Sequence, residues 1–303
     1  MLDTNQTQDF SSLLPGQSTE AGASRRTALK VALGVGYAAT AMPIMAQTAI
    51  KTPADGLRTG EAIYDVEGFS VPFYFAAPEG KTNLPVVLVI QEIFGVHEYI
   101  ADTCRRFAKA GYLAIAPELY ARQGDPSSYA QMAKLMAEVV SKVPDEQVMK
   151  DLDGAVAWAG ENGGNLKKVG ITGFCWGGRI TWLYASQSKN VKAGVAWYGR
   201  LVGTASELTP KHPLELAGQI KAPVLGLYGG QDGGIPLTTI NQMKDALAEA
   251  ATKGNQAGKA SEFVVYKDAP HAFHADYRPS YRKEEAADGF ARALAWFKSH
   301  GVA

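Results

Sequence analysis

The sequence predicts a single α/β domain, built on a mainly parallel central sheet with helices on both faces. Three observations carry that expectation. Short β-branched runs alternate with amphipathic stretches from about residue 60 to the C-terminus, the pattern of right-handed βαβ units. One run, PVVLVIQ at residues 85–91, is apolar almost without a break, as befits a strand buried on both faces. The chain has 303 residues, 46% of them hydrophobic and 20% charged, enough to bury a large core.

The elements follow in order. Residues 62–66 and 71–77 flank Glu67-Gly68 and predict an antiparallel hairpin. After the buried strand over 85–91 come a helix over 98–110, stopped by Gly111, and a strand over 112–116. Helices are expected over 129–140 and 145–161, then a strand over 169–172, a helix over 176–186 and a strand over 191–197. The rest reads as strand 224–228, helix 237–251, strand 263–266 and helix 281–299. Residues 252–261, rich in Gly, Lys and Ala, read as an exposed loop.

The first 46 residues differ in character. A polar start gives way to Arg25-Arg26 and then to an uncharged stretch from Val31 to Ala46, the pattern of a signal peptide of twin-arginine type, cut after Ala46. That stretch falls short of the roughly 20 apolar residues that span a bilayer, so no stable membrane span is expected in the mature protein. Export to a bacterial periplasm follows, with residues 47–59 as a linker to a domain over 60–303. Lys+Arg and Asp+Glu are both 30, which leaves no general electrostatic attraction for nucleic acid. A small-molecule ligand and a monomer or small homo-oligomer are expected.

Of the two cysteines, Cys104 shares a helical stripe with Ile100, Phe107 and Ala108 and reads as a buried core thiol. Cys175 sits in Gly173-Phe174-Cys175-Trp176-Gly177-Gly178, between a strand and a helix. Such a turn forces its central residue into strained backbone, and the helix start beyond it favours negative charge, as a reactive thiol needs. In the α/β-hydrolase arrangement the acid and the histidine follow in chain order, each after a late strand. Asp232 follows the strand over 224–228, and His271 follows the strand over 263–266. The expected roles are Cys175 as nucleophile, His271 as general base and Asp232 as its orienting acid, with Asp268 the fallback. The backbone N–H groups of Trp176 and Ile93 are expected to form the oxyanion hole. His271 and His274 could be read as a metal pair, but no clear further ligand accompanies them in the loop.

Four ordered motifs, Gln91-Glu92-Ile93-Phe94-Gly95-Val96, Ala116-Pro117-Glu118-Leu119-Tyr120-Ala121-Arg122, the Cys175 elbow and Gly229-Gly230-Gln231-Asp232, resemble those of the dienelactone hydrolase family from about Gly60 onward. The resemblance implies a carboxymethylenebutenolidase-like enzyme without a metal or organic cofactor, and it adds Glu92 as a helper that interacts with the resting thiol; a buried helix-capping carboxylate is the alternative for Glu92. In the best-studied branch two arginines hold the substrate carboxylate. Here the position four residues after His271 is Ala275, and residues 131–140 contain no arginine, which leaves Arg122, Arg200 and Arg278 as substitutes. Phe94, Tyr120, Trp176, Tyr198 and Phe273 are expected either to line an aromatic pocket or to pack in the core. A broad carboxylesterase or thioesterase, and a non-catalytic binding protein of the same fold, are the competing functions.

Overall fold

The computed structural model describes residues 50–303, so the expected leader lies outside the described residues. Strands β1 (Leu57–Val66) and β2 (Phe69–Pro78) form the predicted hairpin, closed at Glu67 and Gly68, both at positive φ (54° and 81°), as a tight two-residue hairpin turn requires. β1 begins inside the expected linker. The segment before it is also tied down: the Thr52 N–H donates to Asp102 and the Arg105 guanidinium donates to the Thr52 carbonyl, so the linker ends in a fixed strap.

β3 (Leu84–Ile90) is buried throughout except at Pro85, as its continuous apolar run demands. It leads through α1 (Glu98–Lys109) to β4 (Leu113–Pro117). Then come α2 (Met132–Glu138), shorter than expected and followed by a 3-10 turn at Val140–Lys142, and α3 (Asp145–Glu161). β5 (Gly164–Phe174) starts earlier than its apolar signal, because Asn165, Lys167 and Lys168 extend it beyond the helical layers toward solvent. α4 (Trp176–Gln187), β6 (Val191–Trp197), α5 (Pro213–Leu216) and β7 (Val224–Gly229) follow. The chain ends with α6 (Leu237–Thr252), α7 (Gln256–Ala260), β8 (Glu262–Tyr266) and α8 (Lys283–Ser299). α7 replaces the middle of the expected loop; Asn255 starts it by accepting the Gly258 N–H at 2.8 Å.

The eight strands form one sheet in the order β1-β2-β4-β3-β5-β6-β7-β8, parallel from β4 to β8 and antiparallel on the β1–β2 side. α1 and α8 share one face, where the Phe107 ring lies 5.0 Å from Phe290 and 6.0 Å from Phe297. On the other face the Tyr184 hydroxyl of α4 donates to Asp153 of α3 at 2.6 Å. The sheet centre is therefore dry on both sides; Val87, Leu88, Ile171 and Val195 are wholly buried, each worth roughly 1.5–3 kcal/mol. Cys104 lies in this core, and burial pushes its thiol pKa far up. From β3 the chain moves to β4 on one side and to β5 on the other, which opens a crevice at the carboxyl ends of β3 and β5. No helix among the described residues is long and apolar enough to cross a membrane.

Candidate active site

Cys175 stands in that crevice, between the end of β5 and the start of α4. Its backbone is at φ 55° and ψ −112°, a conformation that L-residues rarely adopt, and it is held by its N–H donating to the Trp197 carbonyl at 3.0 Å. The flanking glycines are steric necessities. A Cβ at Gly173 would come within 2.2 Å of the Gly177 carbonyl oxygen, and one at Gly177 within 2.5 Å of the Ile90 and Gln91 carbonyls.

Asp232 and His271 reach Cys175 from loops after β7 and β8. These loops are stitched together, the Gly230 N–H donating to the Tyr266 carbonyl (2.8 Å) and the Gln231 N–H to that of Ala269 (3.0 Å). Asp232 Oδ1 accepts the backbone N–H groups of Gly234 and Ile235 at 2.9 and 3.2 Å, which aims its other oxygen at His271 Nδ1, 2.6 Å away. Cys175 lies close enough to the imidazole for its charge to act on it. Burial alone would lower the His271 pKa. The negative charges of Asp232 and Cys175 and the hydrogen bond to Asp232 reverse this, raising it from 6.5 to about 10. Asp268, the fallback acid, is exposed and outside the array. His274 does not pair with His271 toward a metal. It is buried, its Nδ1 is 2.6 Å from the Tyr99 hydroxyl, and its ring stacks on Phe174.

Glu92 lies at the end of β3, 1% exposed. Its carboxylate accepts the Tyr277 hydroxyl at 2.5 Å and lies 3.7 Å from the Arg278 guanidinium. Among the described residues it makes no hydrogen bond to Cys175, contrary to the contact the resemblance implies, because Tyr277 and Arg278 engage it instead. The helix-capping alternative fails too: the buried N–H at Val96 is taken by Glu118, at 3.1 Å. Arg278 is itself 5% exposed and close enough to feel the charge of Cys175 as well as that of Glu92.

The crevice opens into a cavity of about 400 Å³. Cys175, His271, Ile93, Trp176 and Tyr198 line it as expected, and the Ile93 and Trp176 N–H groups make no hydrogen bond among the described residues. Four expected pocket residues lie elsewhere. Phe273 is packed beneath Tyr198 at 5.3 Å, Tyr120 lies edge-on behind Trp176 at 4.8 Å, and Phe94 packs against Arg278 at 5.7 Å. Arg122 pairs with Asp151 at 2.5 Å and covers the Phe69 ring, so it cannot meet a substrate. Of the candidate arginines only Arg200 lines the cavity, and it is exposed. Sequence reasoning missed Met132, Met136 and Val140 on one wall and Ile235 on another. The four-residue spacing of the two methionines was the available signal; it marks one helix face without saying what that face meets.

Residues 71–301 match the family model described as the dienelactone hydrolase family. A Methylorubrum extorquens protein provisionally named a carboxymethylenebutenolidase is 56% identical over 281 residues, covering 92% of this chain and 94% of that protein. A protein of the same provisional name from Escherichia coli is 51% identical over 267 residues, 88% of this chain and 96% of its own. Among solved structures, a Klebsiella pneumoniae protein provisionally described as a dienelactone hydrolase superposes with a TM-score of 0.77 at 52% identity, over 80% of this chain and 99% of that one.

Proposed function

The chain belongs to the dienelactone hydrolase family, and on that footing we propose that it opens small lactones or esters, as a carboxymethylenebutenolidase does, through a thioester formed on Cys175. The observation that carries the proposal is the Asp232–His271 hydrogen bond at 2.6 Å, with His271 facing the same cavity as Cys175 at its strained elbow.

With the proton resting on His271, the Cys175 thiolate is the nucleophile and sits at the N-terminal end of α4, whose dipole favours negative charge. Sγ bonds to the carbonyl carbon as the carbonyl electrons move to oxygen, and the N–H groups of Ile93 and Trp176 receive that oxyanion. Collapse breaks the carbon–oxygen bond, and the departing alkoxide or enolate takes the proton from His271; in a lactone it stays tethered to the acyl chain. Neutral His271 then takes a proton from water as that water attacks the thioester. The carbon–sulfur bond breaks, the acid leaves, and the thiolate–imidazolium pair is restored. Asp232 fixes the imidazole tautomer throughout. Glu92 serves by holding Arg278 beneath the nucleophile rather than by touching it.

The test is a panel of enol-lactones and activated esters. Wild type is expected to hydrolyse members of it, and Cys175→Ala to lose turnover by roughly 10³-fold or more. Unchanged turnover in that variant would mean the thiol is not the nucleophile. A broader carboxylesterase or thioesterase activity is the second reading, favoured by the apolar cavity wall. We also propose that residues 1–46 direct export to the periplasm. Arg25→Lys with Arg26→Lys should leave the protein in the cytoplasm of a fractionated host, and undiminished export would defeat the twin-arginine assignment.

A further inference from the structure

Among the described residues two arginines line the cavity besides the His271 of the triad, and neither is placed to receive a buried anion. Arg179 is 6% exposed and already committed: Nη1 and Nη2 donate to the two oxygens of Asp145 at 2.7 and 2.8 Å, Nη2 also to the Lys211 carbonyl at 2.9 Å, and Nε to His212 Nδ1 at 3.2 Å. Its charge is cancelled within the wall. Arg200 is exposed, and an ion pair formed in water changes affinity by no more than about fivefold. The same cavity is lined by Met132 and Met136, one turn apart on α2, with Val140 from the following turn, and by Ile235, whose N–H donates to Asp232. Both methionines are partly exposed although they face an apolar space. Each methylene a ligand buries there gains about fourfold in affinity, so a short chain outweighs Arg200. Thioether side chains are also flexible enough to fit alkyl or aryl groups of different shape.

We propose that the substrate of the Cys175 site is a neutral, apolar ester or lactone, without a second carboxylate, and that Met132, Met136 and Val140 are the residues that select it. This rests on the thiol-hydrolase reading above. A carboxylate reaching α2 would be desolvated with no uncommitted buried cation among the described lining residues to meet it.

The experiment compares p-nitrophenyl 5-methylhexanoate with its carboxylate-tipped isostere, p-nitrophenyl hydrogen adipate. Wild type is expected to favour the neutral ester at least tenfold in kcat/KM. Met136→Lys, which brings a cation to the wall, is expected to move that ratio at least tenfold toward the adipate. Equal or better use of the adipate by wild type, with the advantage lost in Arg200→Gln, overturns the inference and makes Arg200 a carboxylate reader. Calorimetric binding of both esters to Cys175→Ala separates the two claims. If wild type hydrolyses neither ester, the hydrolase reading fails, while tenfold tighter binding of the neutral ester upholds the selection and equal binding refutes it.

Discussion

At Cys175 the backbone stands at φ 55°, and the imidazole beside it carries its proton up to about pH 10. The sign of the pH dependence follows from that raised pKa. Imidazolium persists below about 10, so His271 can serve as proton donor across the neutral range, and kcat/KM should decline as pH rises through about 10. Asp232→Asn removes the negative charge that does most to hold the proton on His271, and it frees the wrong tautomer; turnover should fall by on the order of 10³–10⁴-fold, with the alkaline limb moved to lower pH. An unmoved limb would mean that His271 does not set it. The placement of Cys175, Asp232 and His271 at one cavity was legible because each follows a strand at a place the fold dictates. The partners of Glu92 were not, because Tyr277 and Arg278 lie in an irregular loop that carries no periodic signal.

Among the elements, the elbow tolerates the least change. Gly177→Ala would drive a Cβ into the Ile90 and Gln91 carbonyls and should cost about 1–3 kcal/mol, read as a lower denaturation midpoint, with activity falling further because α4 positions Cys175. A neutral result would show that β3 and α4 can separate. Arg122 supports the fold in a different way, neutralising an Asp151 carboxylate that is wholly shielded from solvent. Arg122→Met leaves that charge unpaired and should destabilise by about 3–5 kcal/mol, with kcat/KM of the folded fraction unchanged. A specific rise in KM would return Arg122 to the pocket. Strand and helix identities were readable because buried strands and amphipathic helices differ in period. What could not be read was the direction a helix faces: α2 was expected, yet nothing in residues 129–140 told that Met132 and Met136 front the cavity while Leu135 turns into the core.

For the whole molecule, strand order decides where chemistry happens. Placing β3 beside β5 brings the Ile93 N–H next to the Cys175 elbow, and extending the sheet through β7 and β8 carries Asp232 and His271 to the same edge. Residues 93, 175, 232 and 271 are far apart in the chain and meet only because every crossover returns to that edge. The family resemblance, from about Gly60 onward, takes in residues 71–301 that the family model matches, while of the five aromatics expected in the pocket or the core only Trp176 and Tyr198 line the cavity. On the proposed reading the sheet sets the reaction, and the connections between strands select the substrate. The most direct test of the central claim is intact-mass spectrometry of the protein quenched during turnover of p-nitrophenyl 5-methylhexanoate. The mass should rise by one acyl group, on a peptide containing Cys175, with a matching burst of nitrophenolate. Steady turnover with no adduct in wild type, or an adduct that persists in Cys175→Ala, would contradict it.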